Sequence, residues 1–175
     1  MGEPALERPR FFNGKLLTAE DLELEQEYFR KKLQRHNRSL HGFGVVSGLK
    51  VTVNAKQIVV EEGMALDCEG NEIVIESRQT LTPPSATESW PTAYLNVRYV
   101  EESSEPVAIS EAGETAIIKE SFEILFAQEN CNRGHRHLRA RWLACGKSHR
   151  LTLAKLRRGV QGWRVDRRYR PPSIK

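Results

Sequence analysis

The spacing of hydrophobic residues changes once, early in the chain, and this change predicts one long helix followed by many short strands. Between about residues 19 and 41, apolar side chains recur at helical spacing within a stripe about 60° wide, which holds Leu22, Phe29, Leu33, His36 and Leu40. We expect this stripe to pack on the rest of the protein. Leu24 and Tyr28 lie on the opposite side of the helix, where we expect a neighbouring subunit to contact them.

The ends of the predicted helix are marked by residues with known capping behaviour. Thr18 begins T-A-E-D, in which Asp21 takes the place that Glu usually holds in a capping box. Gly42 is a natural stop, since glycine adopts the left-handed conformation that ends many helices. The basic residues of its second half favour a solvated face near the negative helix end over a specific anion site.

Beyond Gly42 the apolar residues either alternate with polar ones or form short continuous runs, which predicts short β-strands. Such runs cover residues 49–53, 58–60, 73–75, 93–99 and 122–126, and residues 151–156 and 162–166 read as a closing hairpin. The proline-rich residues 80–93 read as a connection. The expected fold class is α+β, mainly β: a compact β-sandwich or open barrel (residues 43–175) preceded by an arm and one long α-helix (residues 1–42).

Composition adds a division of charge to this picture. The chain has 175 residues, of which 39% are hydrophobic and 29% charged. Residues 1–130 carry 13 basic and 22 acidic side chains, whereas residues 131–175 carry 14 basic and one acidic. This division favours either an acidic partner for the basic segment or its association with the acidic part of another copy. No signal peptide or membrane span is readable, so we expect a cytoplasmic protein with free thiols.

The glycines in G-F-G-V-V-S-G raise the question of a phosphate loop, and their context argues against one. Gly42, Gly44 and Gly48 are spaced one residue too widely for a dinucleotide fingerprint, and they follow a helix where a strand is needed. We expect Gly44 and Gly48 to permit a bulge or a close backbone approach. No nucleophile with a neighbouring base is readable either, so no enzymatic activity is predicted.

Two cysteine–histidine pairs form a candidate metal site. Cys131 and His135, then Cys145 and His149, are C-x3-H pairs separated by nine residues. Two thiols and two imidazoles suit tetrahedral zinc, although the spacing matches common zinc motifs only loosely. The alternative is a solvated polar loop without a cofactor.

The basic C-terminal segment has the composition of a binding surface. Its arginines alternate with aromatic residues, which is typical of protein interfaces and also of nucleic-acid surfaces. We favour the protein interface. The candidate residues are Trp142, Arg157, Arg158, Trp163, Arg167, Arg168 and Tyr169.

Three stretches resemble a family of phage-tail-like proteins encoded with contractile injection systems. They are F-F-N-G-K-L-L-T-A-E-D with N-R-S-L-H-G-F-G-V-V-S-G-L, then I-V-V-E-E-G-M-A-L-D-C-E-G-N-E-I-V-I, then L-A-K-L with G-W-R-V-D and Y-R-P-P-S. The resemblance implies a structural cap, adaptor or baseplate-associated subunit without enzymatic activity. It implies that the partners are other particle subunits, including copies of the same chain within a ring.

Overall fold

The computed structural model describes residues 5–54, 57–85, 90–106, 115–133 and 149–174. Helix α1 (Ala19–His36) continues into one π-helical turn (Asn37–His41). The strands are β1 (Gly44–Gly48), β2 (Val51–Asn54), β3 (Gln57–Val60), β4 (Gly63–Leu66), β5 (Glu72–Ile75), β6 (Gln79–Leu81), β7 (Thr92–Pro106), β8 (Thr115–Ala127), β9 (Arg150–Gly159) and β10 (Gly162–Val165). The predicted α+β, mainly β class with one long N-terminal helix is confirmed.

The strands form three antiparallel sheets. Their orders are β1-β4-β5, β2-β3-β6 and β10-β9-β7-β8. Strands β7 and β8 are long and pair along their whole length, from Tyr94 opposite Ala127 to Pro106 opposite Thr115. Strand β5 contacts β7 and β8, and β10 contacts β2, so the small sheets pack on the large one.

One hydrophobic core is shared by the three sheets. Buried side chains alternate along β5, where Ile73 and Ile75 point inward while Val74 points to solvent, whereas β9 is buried on both faces from Leu151 to Ala154. The other largest buried apolar side chains come from β3, β7 and β9 and include Ile58, Leu95 and Leu156. The strands therefore supply the hydrophobic core that stabilises the fold.

Both predicted helix ends are confirmed. The Asp21 amide donates to Thr18 Oγ1 at 3.3 Å and the Thr18 amide donates to Asp21 Oδ2 at 3.5 Å, which together form the capping box. Gly42 has φ +79° and ends the helical segment at His41. The predicted range of about 19–41 is correct because short-range signals set both ends.

The close approaches predicted for two glycines are also confirmed. A Cβ on Gly44 would lie 2.7 Å from the carbonyl oxygen of Pro172, and one on Gly48 would lie 2.0 Å from that of Glu62. The β1–β4 register also shifts between Val45 and Ser47. These glycines let neighbouring backbones pack directly on the first strand.

Three predictions about strands need correction. Residues 79–81 form β6, which pairs with β3, although the prolines predicted that residues 80–93 form a connection. The β7–β8 ribbon continues well beyond the predicted alternation because it leaves the core, and inward apolar positions are no longer required. Leu49 is buried but has φ +54°, so it turns the chain between β1 and β2.

The prediction that the apolar stripe of α1 packs on the rest of the protein is wrong. Leu22, Phe29, Leu33 and Leu40 are between 51% and 69% exposed, and the described part of α1 contains no buried residue. The helix is held by polar contacts near its C-terminal end, so its apolar stripe is left largely uncovered.

Candidate protein-binding site

A rigid turn between β4 and β5 fixes the position of α1. Asp67 is buried, and its Oδ1 atom accepts hydrogen bonds from the amides of Glu69, Gly70 and Asn71 at 2.8 to 2.9 Å. Asn71 Nδ2 donates to the other oxygen of Asp67 at 2.8 Å. A short polar side chain that binds the following amides is the usual way to stabilise such a turn.

The C-terminal end of α1 binds this turn directly. Asn37 Nδ2 donates to the Gly70 carbonyl oxygen at 3.0 Å, and Gln34 Nε2 donates to Asn71 Oδ1 at 2.6 Å. Gly70 has φ +93°, and a Cβ there would lie 2.2 Å from the Gln34 carbonyl oxygen. The helix and the turn therefore approach each other as closely as their backbones allow.

Above this contact, α1 and the β7–β8 ribbon enclose an open cleft of about 870 Å³, which we call the α1 cleft. Its apolar lining combines helix and ribbon side chains: Leu24, Phe29, Leu33, Tyr99 and Ile118. Six carboxylates also line the cleft, and we call them its acidic rim: Glu20, Glu23, Glu27, Glu72, Glu101 and Glu120. The cleft thus combines exposed apolar side chains with a group of acidic ones.

One ion pair crosses the cleft and joins its two walls. Arg30 on α1 donates to Glu101 Oε1 on β7 at 3.1 Å, and the Tyr99 hydroxyl donates to the same oxygen at 3.0 Å. Burial and the hydrogen bond to Glu101 raise the pKa of Tyr99 above its ordinary value. Tyr99 therefore stays protonated and remains a donor. Glu27 also pairs with Arg30, which orients the guanidinium.

The apolar residues of the cleft are exposed to an unusual degree. Phe29 is 58% exposed, Leu33 51% and Ile118 65%. Phe11, Phe12, Leu16 and Leu17, in the arm before α1, are also exposed. Large exposed apolar side chains grouped beside polar ones, as in the α1 cleft, are typical of a surface that binds another protein.

Leu24 and Tyr28 were predicted to face a neighbouring subunit. Leu24 lines the α1 cleft and is 41% exposed. Tyr28 is half-buried because Arg8 and Lys32 lie over its ring, at 5.9 and 5.4 Å from the centroid. Their role in an interface stays a prediction.

A second surface, which we call the arginine cluster, lies at β9–β10 and the following turn. Its basic members are Arg157, Arg158, Arg164, Arg167 and Arg168, and all of them are exposed. They surround a depression of about 700 Å³ that contains one acid, Asp166. The structure thus brings together the four arginines that the sequence singled out.

Asp166 organises the arginine cluster. It accepts a hydrogen bond from the Arg168 amide at 3.1 Å and one from Arg157 Nε at 2.8 Å. These contacts, with the charge of Lys155 nearby, hold the pKa of Asp166 below its ordinary value. One carboxylate is set against five arginines, so the surface keeps a strong positive charge.

The aromatic residues predicted for this surface are partly used inside the fold. Trp163 packs against the core, and its indole N–H donates to the Pro84 carbonyl oxygen at 3.3 Å. Tyr169 is half-buried, and its hydroxyl accepts from Asn132 Nδ2 at 2.8 Å and donates to the Thr152 carbonyl oxygen at 3.2 Å. Trp142 lies outside the described residues. Their contribution to an interface stays a prediction.

The predicted zinc ligands are only partly described. His135 and Cys145 lie outside the described residues. Cys131 Sγ lies 3.9 Å from the Glu129 carbonyl oxygen, whereas His149 contacts Cys68 and Glu69. The described ranges contain no group of three side chains arranged to hold a metal ion. Zinc binding by Cys131, His135, Cys145 and His149 stays a prediction.

Sequence reasoning missed two places where distant parts of the chain meet. Tyr99, Ile118 and the glutamates of β7 and β8 form one wall of the α1 cleft, yet nothing local marks them as neighbours of a helix some 70 residues earlier. Cys68 and His149 are 81 residues apart and meet beside the β4–β5 turn. Only the topology brings these groups together.

Comparison with known proteins shows that the fold is similar to that of chains in type VI secretion system baseplate structures. No protein-family model matches the chain, and no curated protein matches it in sequence. Among solved structures, a chain of the type VI secretion TssK-TssF-TssG baseplate subcomplex aligns with a TM-score of 0.61 at 13% identity, over 97% of this chain and 62% of that chain.

Two further solved structures show the same likeness. A chain of the type VI secretion baseplate complex aligns with a TM-score of 0.59 at 12% identity, over 96% of this chain and 42% of that chain. Crystalline TssK aligns with a TM-score of 0.55 at 8% identity, over 97% of this chain and 42% of that chain. The chain spans less than two thirds of each structure, and the likeness concerns the fold. No helix among the described residues is both long enough and apolar enough to cross a membrane.

Proposed function

We propose that this protein is a structural, non-enzymatic subunit of a phage-tail-like contractile injection particle, located at or near its baseplate. The observation that carries the proposal is that a fold found in type VI secretion baseplate chains here presents an uncovered apolar cleft. The resemblance of the N-terminal stretch to contractile-particle proteins supports it independently. Such particles assemble in the cytoplasm, which is the location we propose.

The surfaces of the molecule support a role in assembly. The α1 cleft provides apolar contact area, and the energy of an interface comes mainly from such buried side chains. Its acidic rim and the arginine cluster carry opposite charges at separate places on the molecule. Charged rims guide the encounter of subunits and set its direction, although each exposed ion pair contributes only about 0 to 1 kcal/mol.

These two surfaces can join copies of the same chain. We therefore include in the proposal a head-to-tail contact in which the arginine cluster of one copy meets the acidic rim of the next. A heterologous contact of this kind closes into a ring when its rotation divides a full turn. Rings of identical subunits are the expected building unit of a particle with rotational symmetry.

Incorporation into purified particles tests the proposal. Particles from cells that express a tagged copy should contain the protein, and Leu33→Asp in the α1 cleft should remove it while the monomer stays folded by circular dichroism. Val46→Asp is the matched control because Val46 is an exposed apolar residue of β1 that lines neither surface. Normal incorporation of the Leu33 variant, or absence of the wild-type protein from particles, would contradict the proposal.

The arginine cluster needs a separate test because five grouped arginines also suit a nucleic acid. Reversal of Arg157, Arg158, Arg167 and Arg168 to Glu should abolish incorporation or self-association at low salt. Wild-type protein should show no affinity for random duplex DNA in about 0.1 M salt. Tight DNA binding with a steep salt dependence, lost in the reversed variant, would assign the cluster to nucleic acid instead.

A further inference from the structure

The arm before α1, residues 5–18, carries a second group of large apolar side chains on the surface. Four of them are exposed, and the exposed fraction reaches 83% in Leu16: Phe11, Phe12, Leu16 and Leu17. A turn separates the two aromatic residues from the two leucines, since the Lys15 amide donates to the Phe12 carbonyl oxygen at 3.1 Å and Gly14 has φ +87°. The arm is therefore a folded loop with apolar side chains before and after its turn.

Polar contacts attach the arm to the side of α1 that faces away from the α1 cleft. Lys15 Nζ donates to Asp21 Oδ1 at 2.6 Å, and Arg8 lies over the Tyr28 ring. Asp21 and Tyr28 are about 20° apart around the helix, whereas Arg30, which crosses the cleft, is about 170° from both of them on average. None of the arm residues, all of which the structure describes, lines the cleft.

The arm and the α1 cleft have opposite charges. Residues 5–18 contain three basic side chains and one acidic one, whereas the cleft is lined by six carboxylates and one guanidinium. Two arms repel each other, as do two clefts, but an arm and a cleft attract. Both surfaces also present large exposed apolar side chains, which are the main source of energy in an interface. The two surfaces are therefore complementary in charge and in polarity.

Building on the assembly role proposed above, we propose that the α1 cleft of one copy binds the arm of a neighbouring copy. Phe12 and Leu16 of the arm pack on Phe29 and Leu33 of the cleft, and the basic arm residues face the acidic rim. The turn of the arm is already formed, so binding costs less conformational entropy. The apolar part of the cleft is then filled by the arm, whether or not the arginine cluster also contacts the acidic rim.

The position of the two surfaces determines the kind of assembly. Because the arm is attached on one side of α1 and the cleft opens on the other, one copy can bind a neighbour on each side. The contact is therefore heterologous and runs from copy to copy in one direction.

Sedimentation equilibrium of the full chain measures the contribution of the arm. Leu16→Lys should weaken self-association at least about thirtyfold, since it removes an apolar contact from the interface. Leu16 is 83% exposed in the monomer, so the variant should fold normally. A contact held by charge alone would be strengthened by the added lysine. Val46→Lys is the matched control because it adds the same charge at an exposed apolar residue of β1, and it should have little effect.

Cross-linking identifies the two surfaces that meet. Phe12→Cys and Leu33→Cys proteins are mixed and treated with a short bismaleimide, and the products are digested and analysed by mass spectrometry. A linked peptide pair that contains positions 12 and 33 can form only between molecules, because each chain carries one of the two new thiols. This pair should form readily and should be lost when Leu16→Lys is added to the Phe12→Cys chain. A mixture of Phe12→Cys with Val46→Cys should give no pair between positions 12 and 46.

Several results would overturn the arm contact. One is a wild-type chain that stays monomeric up to about 1 mM. Another is self-association that gives no pair between positions 12 and 33, or that is as strong in Leu16→Lys as in the wild type. In purified particles, loss of Leu33→Asp with normal incorporation of Leu16→Lys would exclude the arm and leave the proposed function intact. Normal incorporation of both variants, with the linked pair present in solution, would instead contradict the proposed function and leave the arm contact standing.

Discussion

Replacing Gly70 with alanine tests how α1 is attached to the β domain. Gly70 has φ +93°, a conformation that costs an L residue about 1 to 2 kcal/mol. The new Cβ would also lie 2.2 Å from the Gln34 carbonyl oxygen, so the helix must move away. This movement breaks the hydrogen bonds from Asn37 to Gly70 and from Gln34 to Asn71, each of which contributes about 0.5 to 1.5 kcal/mol. The expected loss is therefore about 2 to 5 kcal/mol in the free energy of unfolding.

Gly162→Ala is the matched control for this experiment. Gly162 has φ +107°, but no heavy atom lies within 4 Å of the Cβ that alanine would add. Only the conformational term of about 1 to 2 kcal/mol applies there. Urea unfolding followed by circular dichroism measures both variants, and hydrogen exchange should show faster opening of α1 only in Gly70→Ala. Equal losses in the two variants would refute the close approach between helix and turn.

Three other predictions follow from described contacts. Leu33→Ala should lower the free energy of unfolding by less than about 1 kcal/mol because Leu33 is half-exposed, and a loss above 2 kcal/mol in urea unfolding would mean that the monomer covers it. Asn132→Ala should cost about 2 to 4 kcal/mol, since it removes two hydrogen bonds to the Thr152 backbone and one to Tyr169; a loss below 0.5 kcal/mol would show that water replaces them. Lys31 and Arg30 lower the pKa of Glu27 below 4.5, so this contribution to stability is present above pH 4.5 and is lost as the pH falls through the lowered value. An NMR titration should show a normal value in Lys31→Ala/Arg30→Ala, and an unchanged one would contradict the assignment.

Local signals in the sequence predicted α1 and most strands correctly. Thr18, Asp21 and Gly42 set the helix ends through contacts within a few residues, and the short apolar run at residues 73–75 identified a strand of the core. The sequence could not show what covers the apolar stripe of α1. Amphipathic spacing reveals that a face is apolar, but a partner can cover it as well as the same chain can.

The candidate site was predicted less completely than the fold because it is built across distant parts of the chain. The arginines at 157, 158, 167 and 168 were found because they are close in sequence and share one hairpin and turn. Tyr99 and Ile118 reach the α1 cleft only through the pairing of β7 with β8. The same is true of Cys68 and His149, whose contact no spacing rule indicates.

The first strand depends on a partner that is synthesised long after it. Val45 donates to the Pro172 carbonyl oxygen at 2.8 Å and accepts from the Ile174 amide at 2.9 Å, more than a hundred positions later. While the ribosome makes the intervening residues, the outer edge of β1 has unpaired backbone groups, and such edges can pair with other chains. The nascent chain is therefore open to mispairing until residues 172–174 emerge, and a chaperone that shields β1 during translation would raise the yield of folded protein.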